Sequence, residues 1–97
     1  MDDIVWLEAQ SRVTIVEVAR HSGLPEATLR ELVEFGALAA EEDMISGACV
    51  ARLRVAGRLA GDFELDTSAL ALVLRYLERI EALEAEVRAL KAVGGRR

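Results

Sequence analysis

The stretch TLRELVEFGAL, residues 28–38, has the pattern of the second helix of a helix-turn-helix, and the rest of the predicted fold is built around it. Its spacing predicts one arc that faces the core, made of Thr28, Leu29, Leu32 and Val33. The opposite arc is polar and consists of Glu26, Arg30, Glu31 and Glu34. Gly36 is predicted to end the helix, because a residue without Cβ adopts positive φ without a steric penalty.

The residues before this stretch predict the first helix of the unit and the turn between the two. Thr14 and Glu17 have the spacing of a capping box, in which each side chain satisfies a free backbone N–H. The first helix is predicted from about Ile15 to Arg20, with an inner face of Ile15, Val18 and Ala19. Gly23 supplies the turn, and Pro25 lies near the start of the second helix, where its missing N–H costs nothing. A helix-turn-helix follows.

Two further helices are predicted downstream, so the fold is mainly α. The segment 37–45 is short and acidic, and we predict that it forms a small β wing. A third helix is expected from Ala48 to about Leu59, with a break at Gly61-Asp62. Asp66 is a suitable N-cap for a long helix from Thr67 to about Ala92, which Gly94-Gly95 would end. The run from Ile4 to Leu7 is predicted to be a strand or an extended segment.

The chain of 97 residues is predicted to be a single domain, residues 1–97. Within it, residues 13–45 would form the winged helix-turn-helix, residues 48–60 a connecting helix, and residues 67–92 a dimerisation helix. The chain begins Met-Asp-Asp and contains no long apolar run, which predicts neither a signal peptide nor a membrane segment, and hence a cytoplasmic protein.

The sequence predicts no catalytic site, no cofactor and no metal ion. A hydrolase triad or a metal site needs several of His, Cys and Ser, but the chain has a single histidine, His21, and a single cysteine, Cys49. No CxxC, HExxH, P-loop or GxGxxG spacing occurs.

The long helix has a heptad pattern that predicts a homodimer. The a positions are Val73, Ile80 and Val87, and the d positions are Tyr76, Leu83 and Leu90. A second apolar stripe of Leu70, Leu74 and Leu77 is predicted to cover the N-terminal part. Parallel helices would match Arg79 with Glu84 and Glu86 with Lys91, whereas antiparallel helices would match Arg79 with Glu86 and Glu84 with Lys91. Both orientations stay open.

Charge distribution disfavours direct nucleic-acid binding by the second helix. Residues 1–45 carry ten acids against three arginines, whereas residues 46–97 carry nine bases against seven acids. Phosphate binding relies on Lys and Arg, so an outer arc with three acids and one base repels a duplex. The wing adds Glu41, Glu42 and Asp43. This asymmetry predicts an acidic interaction surface in the N-terminal half.

Residues 13–38, with Thr28-Leu29-Arg30 and Gly36, resemble the winged helix-turn-helix of the MerR family of regulators. The sequence departs from that family where DNA contact is made. Glu31-Leu32 replaces the aromatic pair that usually follows Leu-Arg, and Glu34 stands in place of a basic residue. The Arg and Tyr usual in the wing are missing as well.

The second half resembles a narrower group, the chaperone-modulator CbpM family. The segment RLAGDFELDTSALALVLRYLERIEALEAEVRAL, residues 58–90, is similar to that family's helix end, Leu-Asp helix start, aliphatic run and Leu-rich tail. The resemblance implies a small bacterial protein that binds the J-domain of a DnaJ- or CbpA-like co-chaperone and inhibits its co-chaperone and DNA-binding activities. The candidate contact residues are Glu26, Glu31, Glu34, Glu41, Glu42 and Asp43.

The alternative hypothesis is a MerR-like transcription regulator that binds DNA. In that case Arg12, Arg20 and Arg30 would lie near the duplex. Binding that weakens steeply with salt would support this alternative.

Overall fold

A computed structural model describes residues 6, 7 and 9–94, which include a two-stranded sheet, a short 3₁₀ turn and the four helices labelled below. In chain order the elements are β1 (Arg12–Thr14), α1 (Ile15–Ser22), α2 (Glu26–Glu34), β2 (Met44–Ser46), the 3₁₀ turn (Gly47–Cys49), α3 (Val50–Phe63) and α4 (Thr67–Gly94). The mainly α prediction is confirmed, and the winged helix-turn-helix comprises β1, α1, α2 and β2.

Local capping signals place α1 and α2 where the sequence predicts them. The Thr14 hydroxyl accepts a hydrogen bond from the Glu17 N–H at 3.1 Å, and the Glu17 carboxylate accepts one from the Thr14 N–H at 3.2 Å. Gly23 ends α1 with φ of 79°. Gly36 follows α2 with φ of 76°, and the N–H of Ala37 donates to the Leu32 carbonyl, which forms a Schellman end.

The two strands of the sheet lie far apart in the sequence, and their pairing was not predicted. Strand β1 lies antiparallel to β2, with Val13 opposite Ile45. The wing within residues 37–45 is a tight turn, in which Glu41 and Met44 form an isolated bridge that leads into β2. The partner strand therefore comes from the segment before α1. A three-residue strand is too short to show a periodic pattern in the sequence.

Helix α3 is longer than predicted, and the expected break at Gly61-Asp62 is wrong. The helix continues to Phe63, and Glu64 caps it with φ of 52°. A glycine inside a helix costs only about 1 kcal/mol, so Gly61 does not end a helix that is held by its buried face. Asp66 caps α4 as predicted, because its carboxylate accepts a hydrogen bond from the Ala69 N–H at 2.9 Å. Helix α4 reaches Gly94, while Gly95 lies outside the described residues.

The prediction of an extended segment from Ile4 to Leu7 is wrong for the two residues that the structure describes. Trp6 and Leu7 are helical rather than extended, and Ile4 and Val5 lie outside the described residues. Leu7 is nevertheless part of the core, because its side chain is only 1% exposed. A short apolar run does not distinguish a helical turn from a strand, since either can bury one side of the segment.

The core is aliphatic and joins all four helices. Helix α2 contributes Leu29 and Leu32, as its predicted inner arc requires. Helix α4 contributes the predicted stripe through Leu70 and Leu74, while Leu77 is half-buried. The remaining buried apolar residues are Leu7, Val13, Ile15, Val18, Leu24, Leu38, Ile45, Val50, Leu53, Ala56 and Ala71. The first third of α4 is thus part of the core.

The rest of α4 extends beyond the core as an arm. The helix has 28 residues, which corresponds to about 42 Å, and every residue from 78 to 94 is exposed. A bidentate ion pair joins the base of this arm to α3: Arg52 Nε and Nη2 lie 2.9 and 3.0 Å from the two Glu81 carboxylate oxygens. No helix in the described part of the chain is both long and apolar enough to cross a membrane.

The Arg52–Glu81 pair predicts a pH-dependent contribution to stability. The hydrogen bond from Arg52, together with its charge, lowers the pKa of Glu81 in the folded protein. A lowered folded-state pKa stabilises the fold above the unfolded value of about 4.3, and this stabilisation is lost as pH falls through the folded pKa. We expect Glu81→Gln to lower the unfolding free energy at pH 7 by about 0.5–1 kcal/mol. Urea denaturation should show the difference shrink as the pH falls below the unfolded value of about 4.3, and a difference that stays constant with pH would contradict the assignment.

Candidate functional site

The outer arc of α2 is open to solvent and carries the charges predicted for it. Glu26, Arg30, Glu31 and Glu34 are all exposed, while the inner arc packs against the core. Helix α2 therefore presents three carboxylates and one guanidinium on the face where a helix-turn-helix would meet DNA.

Arg30, the single base of this arc, is paired with acids. Its Nη1 lies 2.7 Å from Asp43 Oδ1, and its Nη2 lies 3.5 Å from Asp43 Oδ2. Glu26, one turn earlier in α2, lies 3.9 Å from the same guanidinium. The hydrogen bond from Arg30 lowers the pKa of Asp43, and the pair correspondingly raises the pKa of Arg30. The pair joins the wing to α2. It also offsets the positive charge of Arg30, which would otherwise be available to a DNA phosphate.

The wing turn adopts a conformation that its residues do not favour. Glu42 and Asp43 both have positive φ, at 51° and 61°. The flanking residues exchange backbone hydrogen bonds, from Glu41 N to Met44 O at 3.0 Å and from Met44 N to Glu41 O at 2.8 Å. Two positive φ values in a two-residue loop define a type I′ turn, which prefers Asn or Gly. The Asp43 carbonyl also accepts from the Ile15 N–H at 3.0 Å, which ties the turn to α1.

Glycine at position 42 is expected to stabilise the protein. The left-handed conformation costs an L-residue roughly 1–2 kcal/mol, of which the greater flexibility of glycine in the unfolded chain cancels a part. We expect Glu42→Gly to raise the unfolding free energy by about 0.5–1 kcal/mol in urea denaturation at pH 7. Glu34→Gly, within α2, is the contrasting variant and should destabilise the protein. If both variants lost the same unfolding free energy, position 42 would carry no backbone strain.

Five of the six candidate acids lie together, and we name them the acidic face: Glu26, Glu34, Glu41, Glu42 and Asp43. A shallow concavity between α2 and the wing is lined by Ile15, Arg30, Val33, Glu34, Ala40, Glu42 and Asp43. A second concavity, lined by Arg12, Glu41 and Glu42, adjoins it. Glu31 points elsewhere, because its carboxylate accepts a hydrogen bond from the Thr67 hydroxyl of α4 at 3.4 Å.

Two of the three arginines of the DNA-binding alternative are engaged with acids. Arg12 lies 3.6 Å from the Glu41 carboxylate and also donates to the Glu41 carbonyl at 3.3 Å. Arg30 is held by Asp43 and Glu26. Arg20 is exposed near the end of α1 and forms no ion pair with any residue that the structure describes.

The predicted dimer residues lie on the uncovered side of α4. The exposed fractions are 62% for Tyr76, 50% for Ile80, 41% for Leu83, 48% for Val87 and 72% for Leu90, while Val73 is half-buried. Two more apolar side chains flank this stripe and were not predicted: Leu72 is 53% exposed and Val93 is 70% exposed. Leu72 immediately precedes Val73, and Val93 precedes Gly94, the next a position of the repeat. Both therefore occupy g positions of the heptad, and an apolar residue at g could have been recognised in the sequence.

The described residues contain no group of His, Cys, Asp and Glu side chains arranged to hold a metal ion. Cys49 is half-buried at the start of α3, and the Arg52 guanidinium lies 3.8 Å from its sulfur.

Comparison with known proteins identifies the family. No curated protein and no protein of solved structure matches the chain significantly. A family model described as "MerR HTH family regulatory protein" matches residues 13–92, which run from β1 through nearly all of α4. The match covers most of the chain and agrees with the helix-turn-helix, the β wing and the long final helix. This protein therefore belongs to the MerR helix-turn-helix family of regulatory proteins.

Proposed function

We propose that this protein is a non-catalytic chaperone modulator of the CbpM type, which binds the J-domain of a DnaJ- or CbpA-like co-chaperone through its acidic face. Binding there would inhibit the co-chaperone activity of the partner and its binding to DNA. The observation that carries the proposal is the pairing of Arg30 with Asp43 and Glu26 on the surface where a DNA-binding relative needs free cations.

The charge of the acidic face supports a basic protein partner. Five carboxylates lie around two arginines, and Glu34 and Glu42 form no ion pair with the residues that the structure describes. Such a surface attracts a basic helix and repels nucleic acid. A J-domain presents a basic helix to its DnaK-type chaperone, so occupation of that helix would compete with the chaperone.

Glu31 is a weaker candidate for this contact than its five companions. Its carboxylate faces Thr67 at the start of α4, where the helix dipole favours a negative charge. We propose a structural role for Glu31 and assign the partner contact to the acidic face.

We also propose that the protein is a homodimer through α4. The exposed stripe of the arm is apolar at successive a and d positions, and no part of the described chain covers it. An exposed apolar stripe of this length is unfavourable on a monomer in water, whereas a second copy would bury it.

Direct binding tests the proposal against the DNA-binding alternative. Calorimetry or fluorescence anisotropy with the purified J-domain of the organism's own CbpA-like protein should show saturable binding that weakens with added salt. The same protein should show no binding to duplex DNA at low salt. Failure to bind any J-domain of that organism at low salt would overturn the proposal.

The second candidate function is a DNA-binding MerR-like regulator. The family match over residues 13–92 favours it, and Arg20 is a cation without an acidic partner among the described residues. Duplex binding that falls steeply between low and physiological salt would establish this function instead.

A further inference from the structure

We propose that the acidic face contains a socket for one lysine or arginine side chain of the partner's basic helix. The socket is the concavity between α2 and the wing turn, which we name the wing groove, and its base consists of Ile15, Val33 and Ala40. This inference rests on the proposed function. It adds the kind of side chain that the partner inserts and the residues that hold it.

The base of the wing groove is apolar and adjoins the core. Ile15, at the start of α1, is 2% exposed, while Val33 of α2 and Ala40 before the wing turn are half-buried and pack against the core. The groove has a volume of about 340 Å³, which is enough for one long side chain. A helix with a diameter of about 10 Å has to stay at the rim. A partner helix can therefore contact the base only through a side chain that reaches in.

The wing turn is held in place by bonds to two helices, so the groove is preformed. The Asp43 carbonyl accepts a hydrogen bond from the Ile15 N–H at 3.0 Å, and the Asp43 carboxylate lies 2.7 Å from the Arg30 guanidinium. Glu41 and Met44 close the turn with two backbone hydrogen bonds. A preformed groove avoids the entropic cost of ordering a loop when the partner binds.

The rim of the groove favours a positive charge. Glu34 of α2 and Glu42 of the wing turn line it, and neither forms an ion pair with a residue that the structure describes. Of the described lining residues Arg30 alone is basic, and Asp43 and Glu26 offset its charge. An apolar side chain would remove water from the two carboxylates without replacing it by a cation, and a phosphate would be repelled. A lysine or arginine matches both parts, because its methylene groups cover the base while its charged end stays at the rim.

The apolar base distinguishes this socket from the rest of the acidic face. Ion pairs between exposed side chains contribute little affinity, because water and salt screen them. A methylene stem that packs against Val33 and Ala40 also removes apolar surface from water. We therefore expect one basic residue of the partner to dominate the binding energy, rather than an even contribution from the whole helix.

Substitution of the partner's basic residues tests the socket. Each lysine and arginine of the J-domain's basic helix is changed to alanine, and affinity for the full-length protein is measured by calorimetry at low salt. One position should lose roughly 30-fold in affinity, and each of the others less than about five-fold. Methionine at the dominant position should recover part of the loss, because it keeps an unbranched stem without the charge. Losses spread evenly over the helix would overturn the inference and leave the proposed function standing.

Substitutions within the groove separate its two parts. Glu34→Gln/Glu42→Gln changes exposed side chains only, and it should weaken binding roughly ten-fold and reduce the salt dependence. Val33→Thr adds a hydroxyl to the base and should weaken binding roughly five-fold with unchanged salt dependence. Val16→Thr is the matched control, because Val16 is 50% exposed on α1 and does not line the groove. Wild-type affinity in both threonine variants would overturn the inference.

A double-mutant cycle connects the two sides of the contact. When the partner's dominant basic residue is methionine, Glu34→Gln/Glu42→Gln should cost no more than about two-fold in affinity, since the carboxylates have already lost their cation. An undiminished loss would show that Glu34 and Glu42 contact other residues of the partner, and it would overturn the inference alone. Absence of any binding to the J-domain would instead overturn the proposed function, and the socket with it.

Discussion

The double variant Glu34→Lys/Glu42→Lys is expected to bind the J-domain at least about 100-fold more weakly than the wild-type protein. Both side chains are exposed, and neither forms an ion pair with a described residue, so the change alters the surface and leaves the Arg30–Asp43 pair in place. Two attractive charges become two repulsive ones beside a basic partner, and like-charge contacts at an interface cost several kcal/mol. Calorimetry at low salt with the isolated J-domain would measure the loss.

A matched control places the same charge change elsewhere. Asp62 and Glu64 are exposed at the end of α3, so Asp62→Lys/Glu64→Lys alters the net charge equally without touching the acidic face. This control should retain binding within a few-fold. An equal loss of affinity in both variants would indicate that net charge alone attracts the J-domain. The DNA-binding alternative predicts the opposite effect on affinity, because Glu34→Lys/Glu42→Lys should strengthen duplex binding.

Gly57→Ala is expected to destabilise the protein by about 2–3 kcal/mol, which lowers the Tm by roughly 10 °C. A Cβ on Gly57 would collide with the backbone carbonyl oxygen of Ser22, the last residue of α1, and would lie 3.5 Å from Leu24 Cγ. The obstacle is backbone at the helix-turn-helix turn, which cannot rotate away. The free-energy cost of the collision therefore exceeds the gain of about 1 kcal/mol that alanine brings to a helix interior.

Gly61→Ala in the same helix is the control for this prediction. Nothing lies within 4 Å of a Cβ at that position, so only the helix propensity changes. The variant should gain about 0.5–1 kcal/mol. Both variants require thermal and urea unfolding at one protein concentration, because dimerisation would make the Tm depend on concentration. Similar stabilities for the two variants would show that α1 and α3 are not in close contact at Gly57.

Local signals in the sequence are sufficient to predict most of the fold. The capping box at Thr14 and Glu17, the turn at Gly23, the end at Gly36 and the N-cap at Asp66 all depend on residues a few positions apart. Such signals act through backbone hydrogen bonds that form within one helical turn. The sequence therefore predicts the starts of α1 and α4 and the end of α2 closely.

Features that depend on distant parts of the chain could not be predicted in the same way. The partner of β2 lies before α1, and the partner of Arg30 is 13 residues away in the wing. Arg52 and Glu81 are 29 residues apart. Nothing local to these residues specifies the partner, because only the tertiary fold brings the two members of each pair together. The sequence indicated an acidic surface, whereas the neutralisation of Arg30 and the separate orientation of Glu31 required the structure.

The continuity of α4 has a consequence for avidity. The same helix packs into the core at Leu70 and Leu74, contacts α2 through Thr67, and forms the arm, so no flexible linker separates the acidic face from the dimer helix. In a homodimer the two acidic faces would keep one spacing. A partner with two basic helices at that spacing would bind both faces, and the second contact would benefit from a high effective concentration. A partner with another spacing would engage one face at a time, so a rigid arm would select partners by geometry as well as by charge.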